Sequence, residues 1–194
     1  MIIRSATFIK SSPKVGDCPK SNLPEYAFIG RSNVGKSSLI NMLADKKGLA
    51  LTGSTPGKTL LINHFIINSE WHLVDLPGYG YAKRSYSMLN NWDMIINSYF
   101  ETSSQISLIF FLVDSRHELT ENDRIMFDYL LAKRFPFCIV GTKSDKLSKT
   151  EKQNATKYLS RESRTDIILA SSQTGEGIEI IKKLITDTIE GIKK

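Results

Sequence analysis

Cysteine is scarce: the 194-residue chain has two, Cys18 and Cys138. Their positions make no metal-binding spacing, which excludes a metal held by cysteine, and Cys138 falls in an apolar strand where a buried free thiol is common. Histidine is nearly as rare. His64, His72 and His117 are scattered with no pair at metal-ligand spacing, so all three read as structural. Long apolar runs are also missing. The longest clean one covers the six residues 108–113, against the roughly 20 a membrane span needs. The start, Met1-Ile2-Ile3-Arg4-Ser5, lacks a secretory apolar core and a small-residue cleavage site, so cytoplasm is the expected compartment. No internal repeat, low-complexity tract or linker interrupts the chain, and residues 1–194 read as one domain with a short N-terminal strand extension.

What is present is an alternation of strand and helix patterns. Residues 5–9 open as a strand, a proline-bearing loop runs to Pro24, and 25–29 follow as a second strand. Residues 61–67 and 71–75 flank Asn68-Ser69-Glu70, which suits a hairpin. Trp92, Ile95, Ile96, Tyr99 and Phe100 recur with helical period on one apolar face that packs against a sheet, and Trp71 also reads as core. Strand 107–113, helix 121–133, strand 137–142, helix 150–159 and strand 166–170 come next. The last helix spans 177–190, with Ile178, Ile181, Ile185 and Ile189 on one stripe. Continuous apolar strands belong to a sheet covered on both faces. The predicted fold is therefore α/β: a three-layer, doubly wound sandwich, mostly parallel, with one antiparallel hairpin. Ligands in such sheets sit at the carboxyl ends of strands.

The chemistry-bearing motifs fall at those ends. Gly30-Arg31-Ser32-Asn33-Val34-Gly35-Lys36-Ser37 fits the phosphate-cradling pattern G-x-x-x-x-G-K-[ST] of P-loop NTPases, between a predicted strand and a helix at 38–43. Glycines let backbone N–H groups approach a phosphate closely, and a helix N-terminus offers its unpaired donors. Lys36 is expected to reach the β- and γ-oxygens, and Ser37 to place its hydroxyl on Mg²⁺. Asp75-Leu76-Pro77-Gly78 ends a strand about 40 residues beyond. There the aspartate can hold Mg²⁺ through water while the Gly78 N–H senses the γ-phosphate. Thr142-Lys143-Ser144-Asp145 ends another strand. The Asp145 carboxylate can accept from N1–H and the 2-amino group of guanine, donors that adenine lacks. Lys143 can lay its stem over the ring, and Ala170-Ser171-Ser172 can turn backbone N–H groups to O6. The loop 54–59 must supply the second hydroxyl on Mg²⁺, and spacing leaves Thr55 and Thr59 as rivals. Its small residues suit a segment ordered by the γ-phosphate.

On these residues, with Thr55-Pro56-Gly57-Lys58-Thr59, Asp75-Leu76-Pro77-Gly78-Tyr79-Gly80-Tyr81 and Val113-Asp114-Ser115-Arg116-His117, the chain resembles the EngB (YihA/YsxC) family of bacterial GTPases within the TrmE–Era group, over nearly its whole length. The resemblance implies that Thr59 is the Mg²⁺ ligand and that Gly57, Lys58, Thr59, Leu60 and Leu61 line the nucleotide. It also implies that Thr142 stands where most GTPases have asparagine. It links the chain to assembly of the large ribosomal subunit and, in some members, to septation. Asn33 corresponds to a residue that can ligate K⁺ in the wider group; bracing the loop is its other reading. Where small GTPases place a water-orienting glutamine, this chain has Tyr79. Hydrolysis is therefore expected to be slow without a partner or a monovalent cation.

A net charge of +6 favours an acidic partner such as nucleic acid. Lys46, Lys47, Lys58, Lys83 and Arg84 are expected in loops around the nucleotide, whereas Lys182-Lys183 and Lys193-Lys194 suit a solvated helix face. The expectation is a monomer that docks on ribosomal RNA or protein, with no membrane and no DNA as partner. Asp114 to His117 reads as loop bracing or partner contact. The competing class, an ATP-dependent phosphotransferase, is opposed by Asp145 and by the lack of an acceptor site or lid insertion. A nucleotide-gated scaffold with little hydrolysis shares every binding motif.

Overall fold

The computed structural model describes residues 1–51, 60–80, 86–163 and 167–192, with backbone alone at 86–93. Its strands are β1 (Ala6–Ser12), β2 (Glu25–Gly30), β3 (Ile62–Ile67), β4 (Trp71–Asp75), β5 (Ile106–Asp114), β6 (Phe137–Thr142) and β7 (Ile167–Leu169). Its helices are α1 (Lys36–Leu43), α2 (Tyr86–Thr102), α3 (Glu121–Ala132), α4 (Lys149–Ser163) and α5 (Ile178–Ile192). The seven strands form one sheet in the order β1-β3-β4-β2-β5-β6-β7. Strand β3 runs against both neighbours, β1 and β4, while every other pairing is parallel.

Strand side chains alternate between faces, and here both faces are covered. Tyr26, Phe28, Phe110, Leu112 and Val140 pack with Leu39, Ile40 and Leu43 of α1 and with Ile178, Ile181, Ile185 and Ile189 of α5. Their neighbours Ala27, Ile29, Ile109, Phe111 and Ile139 pack with Ile96, Tyr99 and Phe100 of α2, with Met126 and Leu130 of α3, and with Leu159 of α4. That double cover is why β2 and β5 read as continuous apolar runs. Thr120 begins α3 as a reciprocal cap with Asp123, each side chain accepting the other's backbone N–H. Trp71 is fully buried, as expected; the side chain of Trp92 lies outside the described residues.

Two elements outrun their predicted bounds by three residues or more, for one reason. Strand β1 continues to Ser12, past a register shift between Phe8 and Lys10, because pairing with β3 resumes at Lys10 and His64. As an edge strand with Phe8 and Ile9 exposed, it has no alternation to read. Helix α4 extends to Ser163, yet only Leu159 and Ser163 are buried on it, so its apolar period is faint.

A polar cluster lies at the amino end of β2, opposite the motif-bearing strand ends. The buried Glu25 carboxylate accepts from Tyr99 Oη and Ser103 Oγ, both at 2.7 Å, and lies 3.5 Å from His64 Nε2. Burial alone would raise its carboxyl, but the neighbouring His64 ring and the hydrogen bonds from Tyr99 and Ser103 outweigh that and hold it below its ordinary value. Next to His64, at 6.1 Å between ring centroids, His72 is pushed below the usual imidazole range, by burial first and by His64 second, against the pull of Glu25. The unfolded chain protonates His72 near pH 6.5 while the folded chain resists. Its contribution is therefore full above that pH and is lost as pH falls through and below it. Thermal melts are expected to give a lower Tm at pH 5.5 than at 7.5, with a shallower dependence in His72→Phe; an unchanged slope in that variant counts against this assignment.

Candidate functional site

Neighbouring parallel strands end side by side, β4 two residues short of β2. Phe28 of β2 sits opposite Asp75 of β4, so the loop after β2 meets the turn after β4. There Lys36, the first residue of α1, forms a largely buried ion pair with Asp75. Asn33 and Gly35 are left-handed, at φ 65° and 103°, while Val34 between them is not. Such alternation gathers successive N–H groups into an anion-sized concavity. An added Cβ at Gly35 meets only Thr142 Cβ, at 4.0 Å; backbone conformation, not space, demands glycine there. Gly30 answers to packing instead, since its Cβ would lie 2.7 Å from the carbonyl oxygen of Leu112.

The turn after β4 is zipped onto the entry of this loop. Ser32 N–H donates to Tyr79 O at 2.9 Å, Tyr79 N–H to Gly30 O at 3.4 Å, and Arg31 bridges Tyr79 as a one-residue parallel pair. A Cβ on Gly78 would sit 3.2 Å from Gly30 O, Ser32 N and Ser32 Oγ. Tyr79 itself turns to α3, where its hydroxyl donates to Asp123 Oδ1 at 2.8 Å, with Arg31 Nε 3.4 Å from the other oxygen. Burial, then the Asp123 charge, raises this phenol well above its ordinary value. The residue in the water-orienting place is thus tied to a helix.

Two strands across, β6 ends at the base loop. Thr142 Oγ1 lies 2.7 Å from Val34 O and 3.0 Å from Val113 O, so the hydroxyl in place of an asparagine still ties this loop to the phosphate loop. Lys143, left-handed at φ 61°, donates to Asn33 O and Asp114 Oδ2, both at 2.9 Å. Asp145 Oδ1 accepts from Ser171 Oγ at 2.7 Å, which together with Lys146 at 3.4 Å holds its carboxyl below the ordinary value. Ser171 Oγ in turn accepts from the N–H groups of Gln173 and Thr174. Ser144 Oγ donates to Glu176 Oε2 at 2.7 Å, and Ser171 N–H to Glu176 O at 3.0 Å.

Those sequence-predicted residues that are described lie at or beyond the carboxyl ends of β2, β4, β6 and β7, with some qualifications. Val34, Leu76 and Ala170 bury their side chains in the core and leave only backbone to the site. Leu60 packs against the α2 side of the core, and Leu61 and Ser172 are half-buried. Pro77 and Ser37 stay in their predicted loop and first helical turn. Thr55, Gly57, Lys58, Thr59, Lys83, Arg84, Lys193 and Lys194 lie outside the described residues. Lys46 does not border the phosphate loop. It follows the far end of α1 and donates to Ala6 O at 2.7 Å, which carries Lys47 away as well, because a helix starting at the loop moves the chain about 1.5 Å per residue from it. Glu176 and Asp123 were not foreseen; both act through partners remote in sequence. Gly177, ahead of the α5 stripe, was signalled only by the glycine pair at 175 and 177.

Lys36 beyond β2 and Asp75 at the end of the adjacent β4, with Asp145 and Ser171 on the loops two and three strands from β2, define the P-loop GTPase class. The model of a family described as "50S ribosome-binding GTPase" matches residues 25–143, from the start of β2 to Lys143. The chain is 54% identical over 162 residues to a probable GTP-binding protein EngB of Phocaeicola vulgatus, covering 83% of this chain and 81% of that one. To the EngB protein of Porphyromonas gingivalis it is 46% identical over 200 residues, covering 100% and 98%. In fold it is similar to a crystal structure of a probable GTP-binding protein engB, at TM-score 0.70 and 24% identity over 86% of this chain and 99% of that one. Era, solved with MgGDPNP and a stretch of 16S ribosomal RNA, shares the fold at TM-score 0.63 and 18% identity over 86% of this chain and 56% of that one. The chain belongs to the 50S ribosome-binding GTPases and, among them, to the EngB family.

Proposed function

We propose that this protein is a Mg²⁺-dependent GTP switch that hydrolyses GTP slowly and assists assembly of the large ribosomal subunit in the cytoplasm, with an accompanying part in septation. The observation that carries the nucleotide reading is the convergence of Lys36, Asp75 and Asp145 on one sheet edge, with Thr142 and Lys143 bonding the base loop to phosphate-loop carbonyls. Ser37 in the first turn of α1 and Asp75 at the end of β4 are hard oxygen donors and fit Mg²⁺, the aspartate through water, with Thr59 as the further hydroxyl in this reading. Bound there, the ion would neutralise charge on the β- and γ-phosphates. The chain's own residues do the rest. Lys36 leaves Asp75 for the phosphates, the Gly78 N–H meets the γ-phosphate, and Asp145 selects guanine.

Tyr79, bonded to Asp123, supplies no carboxamide to the attacking water, which supports a slow intrinsic rate raised by a partner or by K⁺ at Asn33. The family description, 50S ribosome-binding GTPase, and the net charge of +6 support docking of the monomer on the large subunit. Co-sedimentation with separated ribosomal subunits tests this. Pelleting with the large subunit is expected to be strongest with a non-hydrolysable GTP analogue, weaker with GDP, and reduced by salt. Equal pelleting in every nucleotide state overturns the switch, and pelleting with neither subunit overturns the partner.

A further inference from the structure

We propose that Asp114 and Arg116 are positioning residues for the purine: Arg116 locks the Asp114 carboxylate, and Asp114 fixes the Lys143 ammonium so that the lysine stem stands ready as the cover of the base. The inference rests on the guanine-site reading above and extends it to two residues outside the phosphate and base loops.

The sheet register creates the arrangement. Asp114, the last residue of β5, lies opposite Thr142 of β6, so its side chain comes beside the residue that follows. The carboxylate is 6% exposed and takes four hydrogen bonds. Oδ1 accepts from the Arg116 backbone N–H at 3.2 Å and from Arg116 Nε at 2.9 Å; Oδ2 accepts from Arg116 Nη2 at 2.8 Å and from Lys143 Nζ at 2.9 Å. The planar guanidinium fork grips both oxygens, a geometry no ammonium can copy. Ser115 Oγ, between them, donates to Thr142 O at 2.6 Å and holds the short loop against the base loop.

Lys143 Nζ is therefore held at two points, by Asp114 and by the carbonyl of Asn33, while its backbone is left-handed. A free lysine side chain loses much rotamer freedom when it is ordered. Here that loss precedes nucleotide binding, and preorganisation of this kind appears in affinity. Asp114 is charged throughout the working pH range: burial would raise its carboxyl, but Arg116 and Lys143 hold it far below the ordinary value.

A stem over the ring touches the face of the base and not its edge. Loss of the lock is thus expected to weaken all purine nucleotides alike. Stopped-flow release of fluorescent GDP and IDP from the full chain tests this. Arg116→Ala is expected to speed release of both by roughly 3- to 10-fold, with the ratio of GDP to IDP release rates unchanged, and Asp114→Asn to act in the same direction more strongly. The decisive measurement is a double-mutant cycle. Because Arg116 acts through Lys143, adding Arg116→Ala to Lys143→Ala is expected to change release by less than 2-fold. A full extra effect on the Lys143→Ala background, or unchanged release in Arg116→Ala alone, overturns the proposal. Loss of guanine preference in the parent chain would instead strike the site reading beneath it.

Discussion

Asparagine at position 145 is expected to move the base preference of this protein from guanine to xanthine. An aspartate carboxylate only accepts, and it matches the two neighbouring donors on the guanine edge, N1–H and the 2-amino group. In Asp145→Asn the amide keeps one acceptor and presents a donor where the 2-amino group would approach. Xanthine, with a carbonyl at that corner, restores the match. Losing one charge-assisted bond while setting two donors against each other lowers GDP affinity by about 10²- to 10³-fold. The local frame survives, because the asparagine oxygen still accepts from Ser171 Oγ, which two backbone N–H groups hold in place. Calorimetry with GDP, XDP and ADP in magnesium buffer gives the readout. The parent is expected to bind GDP far more tightly than ADP, and the variant to prefer XDP over GDP. A parent that holds ADP and GDP equally removes Asp145 from base selection, and a variant with unchanged GDP affinity does the same.

That experiment concerns a residue legible before any coordinates, and the reason is local. Phosphate loops, D-x-P-G turns and base loops are contiguous strings whose chemistry depends on neighbours within a few positions. Strands β5 and β6 were readable for a related reason. Burial on both faces leaves an unbroken apolar run, and the observed bounds of β6 match those expected. What escaped notice depends on partners far along the chain. Tyr79 reaches Asp123 across 44 residues, and Ser144 reaches Glu176 across 32. Nothing around Tyr79 announces that its hydroxyl turns to a helix. Edge strand β1 and helix α4 bury so little that composition left them underspecified. The placement of Lys46 erred because a loop near the phosphate loop in sequence is separated from it in space by the length of α1.

Gly177 shows how a remote structural demand bears on the site, and Gly177→Ala is expected to be the most damaging small substitution near the base loops. Its φ of +80° is left-handed, and an added Cβ would lie 2.2 Å from the carbonyl oxygen of Leu169 and 3.1 Å from Ala170 Cα. Both are backbone atoms at the end of β7, so no side-chain rotation relieves the overlap. Left-handed backbone costs alanine about 1–2 kcal/mol, and the forced displacement brings the total to about 3–5 kcal/mol. For a domain of this size that lowers Tm by roughly 10 °C. Gly175 supplies the control. It is left-handed at +79°, but nothing lies within 4 Å of its would-be Cβ, so Gly175→Ala should lose only the conformational part, about 1–2 kcal/mol. The displacement also reaches the nucleotide. Glu176, bonded to Ser144 Oγ and to the Ser171 N–H, precedes Gly177 directly. Moving it disturbs the serine that braces Asp145, and guanine affinity falls with stability. Melting curves and GDP titrations on both variants decide the matter. Equal losses of Tm would assign the effect to backbone angle alone and remove the Leu169 contact as its cause.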